Sequence, residues 1–163
     1  NLPYYITTPI IMRLLSSGLP IDSMVFLMQR EVAERMAAGP GSKAYGSLSI
    51  AVQHYASSEI VARVPPGCFW PPPKVDSLAL KLTLRPPDYG ELTDSEAFFS
   101  LVRSAFAMRR KTLVNNLKAA RPNEMERVYA ALRVCGIAEN ARAEQLAPED
   151  FVCLSRWFIE NGR

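Results

Sequence analysis

The chain has 163 residues, 48% of them hydrophobic and 21% charged, with a formal net charge of +3. That length suits one ordinary domain or two small ones with enough apolar material for a core, and the mild charge permits a polyanionic partner without demanding one. No run of eighteen apolar residues and no basic segment leading into an apolar stretch is present, so neither a membrane span nor a signal peptide is expected, and a cytoplasmic setting is.

A helix is predicted over 6–17, where Ile6, Ile10, Ile11, Leu14 and Leu15 recur at helical spacing and Gly18 stops the pattern. Met24-Val25-Phe26-Leu27 is an apolar run of strand length. Gln29 to Ala38 reads as a helix ending in Gly39-Pro40-Gly41, and Tyr45 to Ser57 as another. Glu59 to Val64 and Val75 to Leu84 alternate in the manner of strands, the second with Leu78, Leu80, Leu82 and Leu84 on one side and Lys81 and Thr83 between. Joined by the Pro-rich loop 65–74, these two make an antiparallel pair. The result is an α/β layer over 1–85, a linker over 86–90, and an all-α domain over 91–163.

In the helical part, Phe98, Leu101, Val102, Ala105 and Phe106 share one face, and Leu113, Val114 and Leu117 continue it. Asn123 with Glu126 predicts a capping box for a helix through Cys135, ended by Gly136. Pro148 with Glu149 and Asp150 starts the last helix, whose inward face is Phe151, Leu154 and Phe158.

Three stretches carry chemistry. Asn1-Leu2-Pro3-Tyr4 puts an amide, a proline-stiffened backbone and an aromatic ring within four residues. The Asn carbonyl oxygen and a backbone carbonyl can accept both hydrogens of an exocyclic amine such as adenine N6, and the ring can stack on the base. Pro3 restricts its own φ and pushes Leu2 towards extended geometry. Phe69-Trp70-Pro71-Pro72-Pro73-Lys74-Val75-Asp76-Ser77 is a stiff loop. It offers either a second stacking ring across a flipped base or aromatics that cap the core. From Leu101 to Asn123 the charged residues are Arg103, Arg109, Arg110, Lys111, Lys118 and Arg121, with no acid among them. That block suits phosphate contacts or a solvated helix face, and N–H groups of the helix after Lys111 would add to a phosphate site. Cys68, Cys135 and Cys153 are far apart, no CxxC occurs and His54 is the only histidine, so reduced thiols and no metal site are expected. His54, Asp22 and Asp76 read as structural.

Four segments, in order, resemble one family. These are Asn1-Leu2-Pro3-Tyr4-Tyr5-Ile6-Thr7-Thr8-Pro9; Gln29-Arg30-Glu31-Val32-Ala33-Glu34-Arg35; the loop from Phe69 through Pro71-Pro72-Pro73-Lys74-Val75-Asp76-Ser77; and Arg103 through Ala105-Phe106, Arg109-Arg110-Lys111-Thr112-Leu113, Asn115 and Leu117. Together they are similar to the bacterial small-subunit (16S) ribosomal RNA adenine N6,N6-dimethyltransferases of the KsgA type. The resemblance implies a Rossmann-like methyltransferase sheet followed by a helical RNA-binding domain. It implies transfer of methyl groups from S-adenosylmethionine to N6 of two adjacent adenosines in a hairpin near the 3′ end of small-subunit rRNA, within ribosome biogenesis. Asn1, Leu2, Pro3 and Tyr4 would be the catalytic motif, and Tyr4 and Phe69 the stacking rings. Lys74, Arg103, Arg109, Arg110 and Lys111 would contact RNA, and Asn1 would also face the methyl donor. The family's Gly-rich loop and acidic ribose-holding residue have no counterpart here, since Gly39 and Gly41 follow a helix. The expectation is therefore the C-terminal portion of such an enzyme, inactive by itself and binding the donor poorly. The alternatives are a large-subunit rRNA methyltransferase of the antibiotic-resistance type and a non-catalytic rRNA-binding or assembly module.

Overall fold

The computed structural model describes residues 1–87, 90 and 92–162. Asp88 and Tyr89 of the expected linker, Glu91 at the expected start of the helical domain, and the side chain of Tyr4 lie outside the described residues. Contacts divide the chain into two compact units, Asn1–Gly39 with Leu48–Asp88 and Pro40–Ser47 with Tyr89–Arg163.

The first unit is built on a three-stranded sheet of order β1-β3-β2, formed by β1 (Ser23–Gln29), β2 (Ala56–Val64) and β3 (Ser77–Leu84). Both outer strands pair antiparallel with β3. Leu80 of β3 faces Phe26 on one side and Ile60 on the other, and a bulge at Val61 shifts the register of β2 against β3 by one residue. The alternation of β3 explains its central place. Leu78, Leu80 and Leu82 are buried, and with Met28 they meet Ile11 and Leu15 of α1 (Tyr4–Leu15), Ala33 and Met36 of α2 (Arg30–Ala37), and Val52 of α3 (Ser47–Tyr55) in one core.

Several boundaries differ from expectation, among them α1, which runs 4–15 rather than 6–17, and β3, which starts at Ser77 rather than Val75; two others have a clear physical reason. β2 begins at Ala56, three residues before the β-branched run, because Ala56, Ser57 and Ser58 pair with Leu84, Thr83 and Leu82. Neighbouring-strand pairing outweighs weak local propensity there. Helix α3 begins at Ser47 rather than Tyr45. Tyr45 is buried in the second unit, edge-on to Phe106 with ring centroids 6.0 Å apart. The segment around it is held there by the Gly41 N–H, which donates to the Glu144 carbonyl at 2.7 Å, and by Arg109, which donates to the Lys43 carbonyl.

The second unit holds α4 (Ser95–Ala105), α5 (Leu113–Ala120), α6 (Met125–Val134) and α7 (Pro148–Glu160). Phe98, Leu101, Val102, Leu113, Leu117, Phe151 and Leu154 are all at most 3% exposed, so the faces read from helical spacing are the ones that pack. Pro148 opens α7, where the Asp150 carboxylate accepts from the Ala147 N–H at 2.8 Å. The expected capping box of α6 is absent. Glu124 is the N-cap and makes no side-chain cap bond. Its carboxylate is taken by Arg127 at 2.5 Å and Arg121 at 3.4 Å instead. The other end of α6 follows expectation. Gly136 has φ of 67°, and the Ile137 and Gly136 N–H groups donate to the carbonyls of Leu132 and Arg133.

The expectation of reduced thiols is corrected for one pair. Cys135 at the end of α6 is bonded to Cys153 in the second turn of α7, with Cα atoms 5.9 Å apart, and Cys68 is free. Eighteen residues separate the partners, and only the packing of α6 on α7 brings them together.

Candidate functional site

Asn1, Leu2 and Pro3 lead into α1, and Pro3 caps it with φ −56° and ψ 134°. The Pro3 carbonyl accepts the Ile6 N–H at 3.2 Å and the Thr7 hydroxyl at 3.0 Å. Thr7 is 1% exposed, so this link is shielded from water. Two donors on one carbonyl fix the plane of the Pro3–Tyr4 peptide. With φ of Pro3 already restricted, the Leu2 carbonyl one peptide earlier has a set direction. Thr7 lies within the first motif, yet its role is not apparent from residue type. The available signal is a hydroxyl residue four places after a helix-capping proline.

Opposite this segment stands the loop between β2 and β3. Residues Pro66–Cys68 form a short 3₁₀ turn, and Phe69 leaves it in extended geometry. Phe69, Trp70, Pro71 and Pro73 line one concavity with Asn1, Leu2 and Pro3, of about 430 Å³. The amide and the aromatic loop, 68 residues apart in the chain, are thus assembled into one site. Phe69 is half-buried; Trp70 and Lys74 are exposed.

The loop is fastened at its far end by Asp76. Its carboxylate accepts from Arg63, the penultimate residue of β2, at 2.8 Å, and lies 3.6 Å from the guanidinium of Arg30 at the start of α2. Its carbonyl accepts the Arg30 N–H at 3.0 Å. Arg30 also pairs with Glu34 at 3.6 Å. Asp76, read from sequence as a plain loop acid, therefore ties the end of β2, the start of β3 and the start of α2 to one point.

The lining is amide, aliphatic, aromatic and proline, with no titratable side chain among the described residues. It fits a flat base with an exocyclic amine. It offers no carboxylate for a ribose and no glycine cradle for a charged tail, so it does not fit the whole of a nucleoside methyl donor.

The second unit carries the basic residues. Arg103 is in the last turn of α4, and Arg109, Arg110 and Lys111 occupy the connection to α5; all four are exposed. Among the described residues Arg103, Arg110 and Lys111 have no ion pair, whereas Arg121 pairs with Glu124 and lies 4.5 Å from the centre of the Phe158 ring. The connection is held by Asn116, which is 2% exposed. Its side-chain oxygen accepts the Met108 N–H at 2.9 Å, and its amide donates to the carbonyls of Ala105 at 2.6 Å and Met108 at 3.2 Å. Asn115, the asparagine of the sequence signature, is exposed and bonds only locally to the Thr112 hydroxyl.

Three of the first four N–H groups of α5 are taken within the protein. Leu113 N–H donates to the Ala141 carbonyl at 2.8 Å, Asn115 N–H to the Thr112 hydroxyl at 3.3 Å, and Asn116 N–H to the Thr112 carbonyl at 3.1 Å.

Comparison with known proteins gives one family. A model of the ribosomal RNA adenine dimethylases matches residues 1–160. Ribosomal RNA small subunit methyltransferase A of Geobacillus thermodenitrificans is 50% identical over 158 residues, which are 95% of this chain and 54% of that protein. Its counterpart in Alkaliphilus metalliredigens is 46% identical over 157 residues, 96% of this chain and 55% of that protein. Among solved structures, a dimethyladenosine transferase from Plasmodium falciparum superposes with a TM-score of 0.79 at 28% identity, covering 99% of this chain and 66% of that one. The 23S rRNA methyltransferase ErmE gives 0.66 at 26% identity, covering 96% and 62%. The chain spans about half the length of the curated relatives it matches. Its sheet and helices are those of part of an rRNA methyltransferase fold, and the chain belongs to the ribosomal RNA adenine dimethylase family.

Proposed function

We propose that this chain holds the target base, and grips the RNA, in an enzyme that dimethylates N6 of two adjacent adenosines in small-subunit rRNA. The observation that carries the reading is the shared concavity of Asn1-Leu2-Pro3 and Phe69, with the Leu2–Pro3 backbone fixed by Thr7.

The N6 amine of a flipped adenine donates one hydrogen to the Asn1 side-chain oxygen and one to the Leu2 carbonyl. Amide-like conjugation normally draws the N6 lone pair into the ring. Two acceptors placed off the ring plane pull the amine towards tetrahedral geometry and return the lone pair to nitrogen. Phe69 and Tyr4 hold the ring by stacking. S-adenosylmethionine, the donor in this class of reaction, supplies an electrophilic methyl carbon. With the donor bound, these acceptors would aim the N6 lone pair at its methyl group, and N6 would release a proton after transfer. The ammonium formed on nitrogen is acidic, so the described lining needs no strong base. Lys74, Arg103, Arg109, Arg110 and Lys111 bind the phosphates of the same RNA. The 163 residues by themselves are expected to bind RNA and to hold the donor weakly, because the described lining fits only the base.

The test has two parts. Methyl transfer from radiolabelled S-adenosylmethionine to unmethylated small subunits is measured with the enzyme that contains this sequence, followed by nucleoside analysis. N6,N6-dimethyladenosine at two adjacent positions is expected, with Asn1→Ala lowering the rate by at least about a hundredfold, the scale of losing one aligned acceptor. Methylation confined to large-subunit RNA would support the antibiotic-resistance alternative instead. Calorimetry of the 163-residue chain with S-adenosylmethionine is expected to show no micromolar binding, and tight binding would contradict the division of the site.

A further inference from the structure

One residue of the site has no part in holding a single base. Trp70 is 96% exposed although tryptophan is a large apolar side chain that is highly buried on average. It lines the same concavity as Asn1 and Phe69. Phe69 is extended, with φ −122° and ψ 154°, so the two neighbouring side chains diverge along the wall of that concavity. The exposures agree: Phe69 is half-buried and Trp70 stands in solvent. The two rings therefore serve different partners. Three prolines follow Trp70, and the loop is tied down at Asp76, so the ring is presented by a stiff backbone and loses little freedom when something stacks on it. Exposed Lys74 lies four residues along the same loop and suits a phosphate.

We propose that Trp70 is the platform on which the base adjoining the bound adenine stacks, so that the site grips two successive nucleotides of unpaired RNA, with a purine preferred at the second. The inference rests on the base-holding reading of Asn1 and Leu2. A purine is favoured because its larger face covers more of an indole.

The experiment uses the 163-residue chain with Trp157→Phe, which leaves Trp70 as the sole tryptophan. A hairpin RNA with two adjacent loop adenosines is titrated against its fluorescence, as are versions with an abasic nucleotide at either adenosine. RNA binding is expected to quench Trp70. One of the two abasic changes should abolish the quench and weaken binding about tenfold, the scale of one base–aromatic stack. Trp70→Ala should weaken the intact RNA equally and become insensitive to that abasic change, while Trp70→Phe recovers most of the affinity. Since Trp70 is exposed, these variants leave the core untouched. Unchanged affinity in Trp70→Ala, or undiminished sensitivity to both abasic changes, overturns the proposal. Asn1→Ala separates the two readings. It should lose sensitivity to the other adenosine. If that coupling holds and the Trp70 coupling is absent, only this proposal falls. If the Asn1 coupling is absent, or the chain binds no RNA, the base-holding reading falls and this proposal with it.

Discussion

On the proposed reading, the concavity of the sheet unit and the basic turn of the helical unit would recognise different parts of a nucleic acid by different physics. Around Asn1 the useful groups are one amide oxygen and backbone carbonyls, and their direction is everything. That region is stiffened by Pro3, by the Thr7 hydroxyl and by the Asp76 junction. Around Arg109-Arg110-Lys111 the useful property is charge, which acts over a Debye length and tolerates imprecise placement. Even so, the turn is pinned from beneath by the three hydrogen bonds of buried Asn116. In both regions a residue without evident chemistry of its own fixes the ones that have it.

The largest expected effect tests the charge side. Arg110→Glu with Lys111→Glu should weaken RNA binding about a hundredfold at low salt and lower the salt slope by roughly two. Asn1→Ala, by contrast, should leave the slope unchanged. Equal slopes in both variants would erase the distinction between the regions. Next comes the pin. Asn116→Ala leaves the Met108 N–H and the Ala105 carbonyl without their partner, and about 2–3 kcal/mol of stability should be lost from the helical unit in denaturant titration. A loss below about 0.5 kcal/mol would mean that the turn is held by something else.

A smaller change is expected at the other anchor. Asp76→Ala removes a partly exposed carboxylate shared by two arginines, so about 1 kcal/mol is expected after solvent screening. The informative readout is Trp70 fluorescence anisotropy, which should fall as the loop loosens. Rigid Trp70 in this variant would show that the prolines alone hold the loop. The smallest effect concerns acid. Burial lowers the pKa of His54, which is 8% exposed and edge-on to Tyr55. Below about pH 6.5 the unfolded chain binds a proton that folded His54 resists. Sheet-unit stability should thus fall as pH drops through that value, and His54→Gln should reduce the slope.

What the residues disclose beforehand follows a physical division. Leu78, Leu80 and Leu82 announce a central strand because burial imposes a period of two, and Phe98, Leu101, Val102 and Ala105 announce a helix face in the same way. Gly136 marks a helix end because glycine takes a positive φ without strain, and Pro148 marks a start because its fixed φ suits a first helical turn. Tyr45, Asn116 and the Cys135–Cys153 bond are not legible, since each depends on a partner outside its own element. The α6 capping box fails for a local reason: Arg121 and Arg127 draw in Glu124, and the helix starts after it. At the site, Asn1-Leu2-Pro3 and Phe69 are readable from residue type, whereas Thr7 and Asp76 emerge as anchors only from the folded geometry.

The most direct test of the central claim compares two RNAs that differ only at the target amine. One hairpin carries adenosine and the other N6,N6-dimethyladenosine, which has no hydrogens to donate to Asn1 and Leu2. Equilibrium binding to the 163-residue chain should favour the unmethylated RNA by about tenfold, the scale of one to two hydrogen bonds. That preference should shrink in Asn1→Ala. Equal affinity for the two RNAs, or a preference that survives Asn1→Ala unchanged, would contradict the claim that this segment holds the amine.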